Sequence, residues 1–163
     1  MKKGSTLFLK IAIIIIGLPI LALCILVLPK IAGEAISQVQ NGSELGYVVL
    51  GILIIMYAAA FPFYFALYQS FNLLLYIDRK QAFSGLSVTA LKKIKACAII
   101  ISGLYVLALP LIYIVAEWDD APGLILVGMA LIGAPLVVGV FAAVLQRLLK
   151  EAIDIKSEND LTV

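Results

Sequence analysis

A chain of 163 residues that is 64% hydrophobic and only 13% charged departs from soluble globular domains, which are about half apolar and about a quarter charged. The same figures exclude intrinsic disorder, and a formal net charge of +2 gives no field that would draw nucleic acid, so no direct nucleic-acid binding is expected. The sequence has no His, the usual general base and commonest metal ligand, and it reads as a small integral membrane protein.

The charges divide the chain into spans. Between Lys10 and Lys30 lie 19 uncharged residues, between Glu44 and Asp78 33, between Lys95 and Glu117 21, and between Asp120 and Arg147 26. A helix needs about 20 largely apolar residues to cross a hydrocarbon core of about 30 Å. Each run therefore carries one crossing. The second is too short for two with a turn, because Gln69, Ser70 and Asn72 crowd its end. The predicted spans are 7–29, 47–68 with the helix extending to 77, 96–116 and 123–146. A loop at 78–95 and a tail at 147–163 complete a single membrane domain.

The first run also resembles a secretory signal, since Met1-Lys2-Lys3 precedes it. It exceeds the usual apolar core of about 7–15 residues and no A-x-A site follows, so it is read as a retained span. After it, residues 30–45 form the longest outer piece, whose Ile31, Ala32, Ala35, Ile36 and Val39 predict a short helix lying on the membrane surface. With the N-terminus inside, 11 of the 12 Lys and Arg fall on the cytoplasmic side and only Lys30 outside. Both termini are expected in the cytoplasm. The fold class is an all-α, antiparallel four-helix bundle.

Each span holds a proline, Pro19, Pro62, Pro110 and Pro135, and each predicts a helix kink. In the fourth, Gly128, Gly133, Ala134, Gly139 and Ala143, with Ala130 and Ala142, supply small residues for close helix contact. They predict a central position for that helix, and they also admit a homo-oligomeric contact. Aromatic residues from Tyr57 to Tyr76 and the lone Trp118 read as interfacial anchors.

On the cytoplasmic side, Ser87 is expected to cap a helix from Val88 into the third span, after a break at 82–86. Phe83 and Leu86 in that break are candidate docking residues, with Lys92, Lys93 and Lys95 setting orientation or contacting anionic headgroups. The tail carries a helical stripe, Leu145, Leu148, Leu149, Ala152 and Ile155, that should end near 157–160 and offers a second docking face.

No Lys, Arg, Asp or Glu is expected inside any span, which argues against proton-coupled transport. No catalytic residue, metal site or cofactor motif is found. Cys24 near the outer face and Cys97 near the inner face are too far apart for a disulfide, which needs Cα atoms within about 7 Å. Glu117, Asp119 and Asp120 read as a solvated outer turn.

Three stretches carry a family resemblance: Ile77-Asp78-Arg79-Lys80-Gln81-Ala82-Phe83-Ser84, Leu91-Lys92-Lys93-Ile94-Lys95 and Ser157-Glu158-Asn159-Asp160-Leu161-Thr162-Val163. With them the chain resembles, over essentially its whole length, the YoaS-like family of small bacterial membrane proteins, a family of unknown function. The resemblance implies four spans in a bacterial plasma membrane and partnership with a small cytoplasmic helix-turn-helix regulator. It brings no catalytic residue. The expected function is a regulatory or sensing membrane protein, not an enzyme. A small transporter or channel subunit, or an immunity- or stress-type membrane protein, is the alternative.

Overall fold

A computed structural model describes residues 3–162, and among them every regular element is helical. The first, α1 (Lys3–Ala22), passes through a π-helical segment (Leu23–Val27) into α2 (Leu28–Gln40). Three long helices follow: α3 (Glu44–Asp78), α4 (Gly85–Trp118) and α5 (Gly123–Leu161). With the first three segments taken as one helical stretch, Lys3–Gln40, four helices are long and apolar enough to cross a membrane. In lipid the backbone must satisfy its own polar groups, and a continuous helix does so.

The same device closes α2, α3 and α4. In each, an N–H reaches back five residues, Ser43 to Gln38, Gln81 to Tyr76 and Ala121 to Ala116, at 2.9, 2.7 and 2.9 Å. The residue before the donor is left-handed, with φ of +83° at Gly42, 59° at Lys80 and 49° at Asp120. This is the Schellman arrangement, which satisfies carbonyls orphaned at a helix end. Glycine takes that conformation freely, whereas Lys80 and Asp120 hold it against a Cβ clash.

Two expectations about these junctions are corrected. The segment after Lys30 is no separate surface helix, because α2 continues to Gln40 and only residues 41–43 connect it to α3. Gly46 explains how so tight a junction closes. A Cβ there would lie 2.6 Å from Val39 Cγ2 and 2.7 Å from the Ala35 carbonyl oxygen, so the two backbones touch where no side chain stands. The second correction concerns α4, which starts at Gly85 with Ser84, not Ser87, as its N-cap residue. Ser87 lies inside the helix, fully buried, with its hydroxyl donating to the Gln81 carbonyl at 3.2 Å.

The fourth span is not central. α4 buries ten residues and α5 only three, Gly128, Gly139 and Ala142, so α4 is the helix enclosed on its flanks. The buried stripe of α4, from Ser87 through Leu91, Ile94, Ala98, Ile101, Ser102 and Ala108, follows helical spacing. It is rich in small residues, so its neighbours approach closely. α3 covers one side of it and α5 the other, while α1 and α2 pack on α3. Ser102 seals the α4–α5 contact by donating to the Ile132 carbonyl at 2.8 Å.

Candidate functional site: an apolar cavity and its polar margins

Between α1 and α5, at the ends of this chain of neighbours, lies a cavity of about 490 Å³. All four membrane-length helices line it: Leu23 and Cys24, Ala59 and Phe63, Ile101 and Tyr105, then Ala134 and Pro135. The lining carries no charged side chain, so the cavity suits an apolar guest and offers nothing to a bare ion.

The π-helical segment borders this cavity, and Pro29 gives the physical reason for it. The Leu28 N–H bonds to the Leu23 carbonyl, five residues back. The next bond in that register would run from residue 29 to the Cys24 carbonyl, and proline has no N–H to make it. The Tyr57 hydroxyl fills the vacancy, donating to the Cys24 carbonyl at 2.7 Å. Two turns further along α3, the Tyr64 hydroxyl donates to the Gly17 carbonyl at 2.9 Å. These two tyrosines, read from the sequence as part of an interfacial belt, cross-link α3 to the π-helical segment and to α1. π-Helical turns recur at functional sites, which singles out this wall of the cavity.

The four prolines fall within helices that continue past them: Pro19 in α1, Pro62 in α3, Pro110 in α4 and Pro135 in α5. Of the small residues on α5, Gly128 and Gly139 meet α4 tightly. A Cβ at Gly128 would lie 3.0 Å from Leu109 Cδ1, and one at Gly139 3.3 Å from the Ala98 Cβ. Gly133 makes no such contact, with nothing within 4 Å of a built Cβ. Ala134 is exposed and lines the cavity, and Ala143 is half-buried. The small residues thus serve two surfaces. Some pack on α4, and others keep the cavity open.

A polar cluster that the sequence did not reveal ties α1 to the end of α3. Lys10 Nζ meets Asp78 Oδ2 at 2.5 Å, and the Thr6 hydroxyl contacts Asp78 Oδ1 at 2.5 Å. Thr6 is fully buried, and Lys10 Nζ also stands 5.7 Å from the centre of the Phe71 ring. The bond from Lys10, then that from Thr6, holds the Asp78 carboxyl below its ordinary value, outweighing desolvation. Lys10 lies within the predicted 7–29 span, so the expectation of charge-free spans is corrected there: the span carries a charge near one end, neutralised by a partner 68 residues away. Its one sequence signal is that Lys10 opens the first charge-free run and Asp78 closes the second.

The docking candidates divide. Phe83 and Leu86 are 56% and 52% exposed, and Lys92 and Lys93 are exposed, whereas Lys95 is half-buried. On α5, Leu148 and Ile155 are 55% and 66% exposed, whereas Leu149 and Ala152 are half-buried. The single apolar stripe is therefore two faces. Gln146, Leu149 and Ile153 are partly covered, and Leu145, Leu148 and Ile155 are free. Helical order persists through Leu161, just past the expected end. Cys24 and Cys97 are both free thiols, and among the described residues no group of three His, Cys, Asp or Glu is placed to hold a metal ion.

Long apolar helices, exposed large apolar side chains along each of them and a charge pair kept near the helix ends define an all-helical, multi-pass membrane protein. A family described as "Protein of unknown function (DUF2975)" matches residues 35–163, and the chain belongs to that family. It is 58% identical to the "Uncharacterized membrane protein YoaS" of Bacillus subtilis (strain 168) over 163 residues, the whole of both chains. No solved structure matches it.

Proposed function

We propose that this protein is a membrane regulator that crosses the bacterial plasma membrane four times, with both ends in the cytoplasm, and docks a cytoplasmic protein there. The partner the family resemblance suggests is a small helix-turn-helix regulator. The carrying observation is the far part of α5, which stays helical to Leu161 while Leu148 and Ile155, beyond the fourth span, face away from the bundle. An apolar helix face beyond the membrane, with no cover, is the form of a docking surface.

Side-chain register supports an antiparallel arrangement. Thr6 meets Asp78, Gly17 meets Tyr64 and Cys24 meets Tyr57, so α1 ascends as α3 descends. Likewise Ala98 meets Gly139, Ser102 meets Ile132 and Leu109 meets Gly128. Extended by about 1.5 Å per residue, the second register carries Leu149 to the level of Ser87. The free α5 face, Phe83 and, at the start of α4, Leu86 then share one end of the molecule, and the 11-to-1 charge split supports a cytoplasmic position for that end. Prolines inside four helices supply kinks that let α1 and α5 diverge around the cavity. The chemistry is non-enzymatic.

The test is truncation after Arg147 together with the full-length double substitution Leu148→Glu and Ile155→Glu. Both variants should insert in the membrane, place a fused C-terminal reporter in the cytoplasm, and lose the partner that copurifies with the wild type. Retained capture by both sinks the docking reading. A reporter active outside the cell sinks the topology.

The cavity favours a second reading, a small transporter or channel subunit for an apolar compound. The substitution Ala134→Phe separates the two. It fills the cavity from an exposed position, so it should abolish transport while leaving capture of the cytoplasmic partner unchanged.

A further inference from the structure

A second apolar depression lies outside the four-helix cavity, between α3 and α4, with a volume of about 510 Å³. Phe61, Pro62 and Phe65 form one wall, Ala96 and Ile100 belong to the other, and Lys93 stands at the margin. Phe61 is 80% exposed and Phe65 44%, so the bundle leaves both rings uncovered. Along α4 the positions Lys93, Ala96 and Ile100 share one face, three and four residues apart. The charge-free run begins at Ala96, which puts the Lys93 backbone about 4–5 Å beyond the start of the apolar stretch. A long ammonium side chain there reaches headgroup depth while its groove runs into the hydrocarbon.

The described ion pairs are Lys10–Asp78 and Arg147–Glu151, which leaves the Lys93 ammonium without a carboxylate partner among the described residues. Lys92 beside it is exposed and adds to the positive charge. We propose that this groove is a binding site for an anionic phospholipid. The acyl chain lies along Phe61 and Phe65, and the headgroup phosphate sits on Lys93. Charge complementarity selects this occupant. An apolar partner helix would leave the lysine uncompensated at the membrane surface, and a soluble anion would leave the aromatic wall bare. The α1–α5 cavity has no cation in its lining and would hold a chain without preference for its headgroup. The site does not depend on protein docking, since a purified protein in defined lipid reports it.

Trp118 is the single tryptophan, so the double substitution Trp118→Phe and Phe65→Trp puts one reporter on the groove wall. The protein is reconstituted in phosphatidylcholine bilayers containing either brominated phosphatidylglycerol or brominated phosphatidylcholine. Quenching at position 65 should give the anionic lipid a relative binding constant of about five, the preference one lysine near the surface supplies. Lys93→Gln should lower it toward one, leaving only the smaller preference that Lys92 supplies from outside the groove. A constant near one with Lys93 present, or a preference unchanged by Lys93→Gln, overturns the proposal. Phe61→Trp in the same background repeats the measurement from the other ring should the first reporter disturb folding.

Discussion

The junction of α2 and α3 gives the sharpest prediction. Replacing Gly46 with Ala adds a single methyl group to a helix, where Ala is ordinarily favoured over Gly by roughly 0.5–1 kcal/mol. Here the new Cβ would stand 2.6 Å from Val39 Cγ2, 2.7 Å from the Ala35 carbonyl oxygen and 2.9 Å from the Val39 amide nitrogen. A side-chain methyl can rotate away, but two of these three atoms belong to the backbone of α2. Relief therefore requires α2 to move from α3, through a turn of only residues 41–43. Overpacking of this kind costs about 1–3 kcal/mol, and the rigid partners put Gly46→Ala toward the upper end. The control is Gly33→Ala in α2, where nothing lies within 4 Å of the built Cβ and the change should be neutral or stabilising by about 0.5–1 kcal/mol. Both variants are unfolded by denaturant in mild detergent, followed by helical circular dichroism and Trp118 fluorescence. A Gly46→Ala protein as stable as the wild type, or no less stable than Gly33→Ala, would refute the claim that the two backbones touch here.

Two further predictions concern the other end of the first helix and the turn beside it. Asp78 is held below its ordinary pKa by Lys10 and Thr6, so its contribution is complete above the unfolded value, near pH 4, and is lost as pH falls through the folded one. Asp78→Asn should lower stability at neutral pH and flatten the acid limb of the pH–stability curve below about pH 4, read by thermal unfolding at a series of pH values; an unchanged acid limb would mean the carboxylate is not engaged. Lys80 holds a left-handed φ of 59°, for which a Cβ costs about 1–2 kcal/mol, less the greater chain entropy that glycine gives up. Lys80→Gly should therefore stabilise by about 0.5–1 kcal/mol and Lys80→Val destabilise, and equal melting temperatures for the two would show that the turn is not strained.

What the sequence by itself determined is everything that depends on solvent. Charge-free runs of the right length give four helices, because lipid admits apolar side chains and requires the backbone to satisfy itself. The prolines, the exposed Phe83 and Leu86, the free thiols and the helical tail follow from the same local reading. Tertiary structure decided the rest, because helix contact depends on which faces meet and local hydropathy is blind to it. In a bilayer almost any face of an apolar helix is equally at home, so the pattern does not point inward as it does in water. Gly and Ala crowd α5, yet the stripe of Ser, Ala and Cys on α4 is the one that neighbours enclose from both sides. Lys10 and Asp78, each at the edge of its own run, become one ion pair only when α1 lies against α3. The π-helical turn needed Tyr57 to replace the hydrogen bond that Pro29 cannot make, a partner 33 residues from the carbonyl it caps. The cavity between α1 and α5 exists because the order of neighbours, set by those contacts, leaves the first and last helices apart.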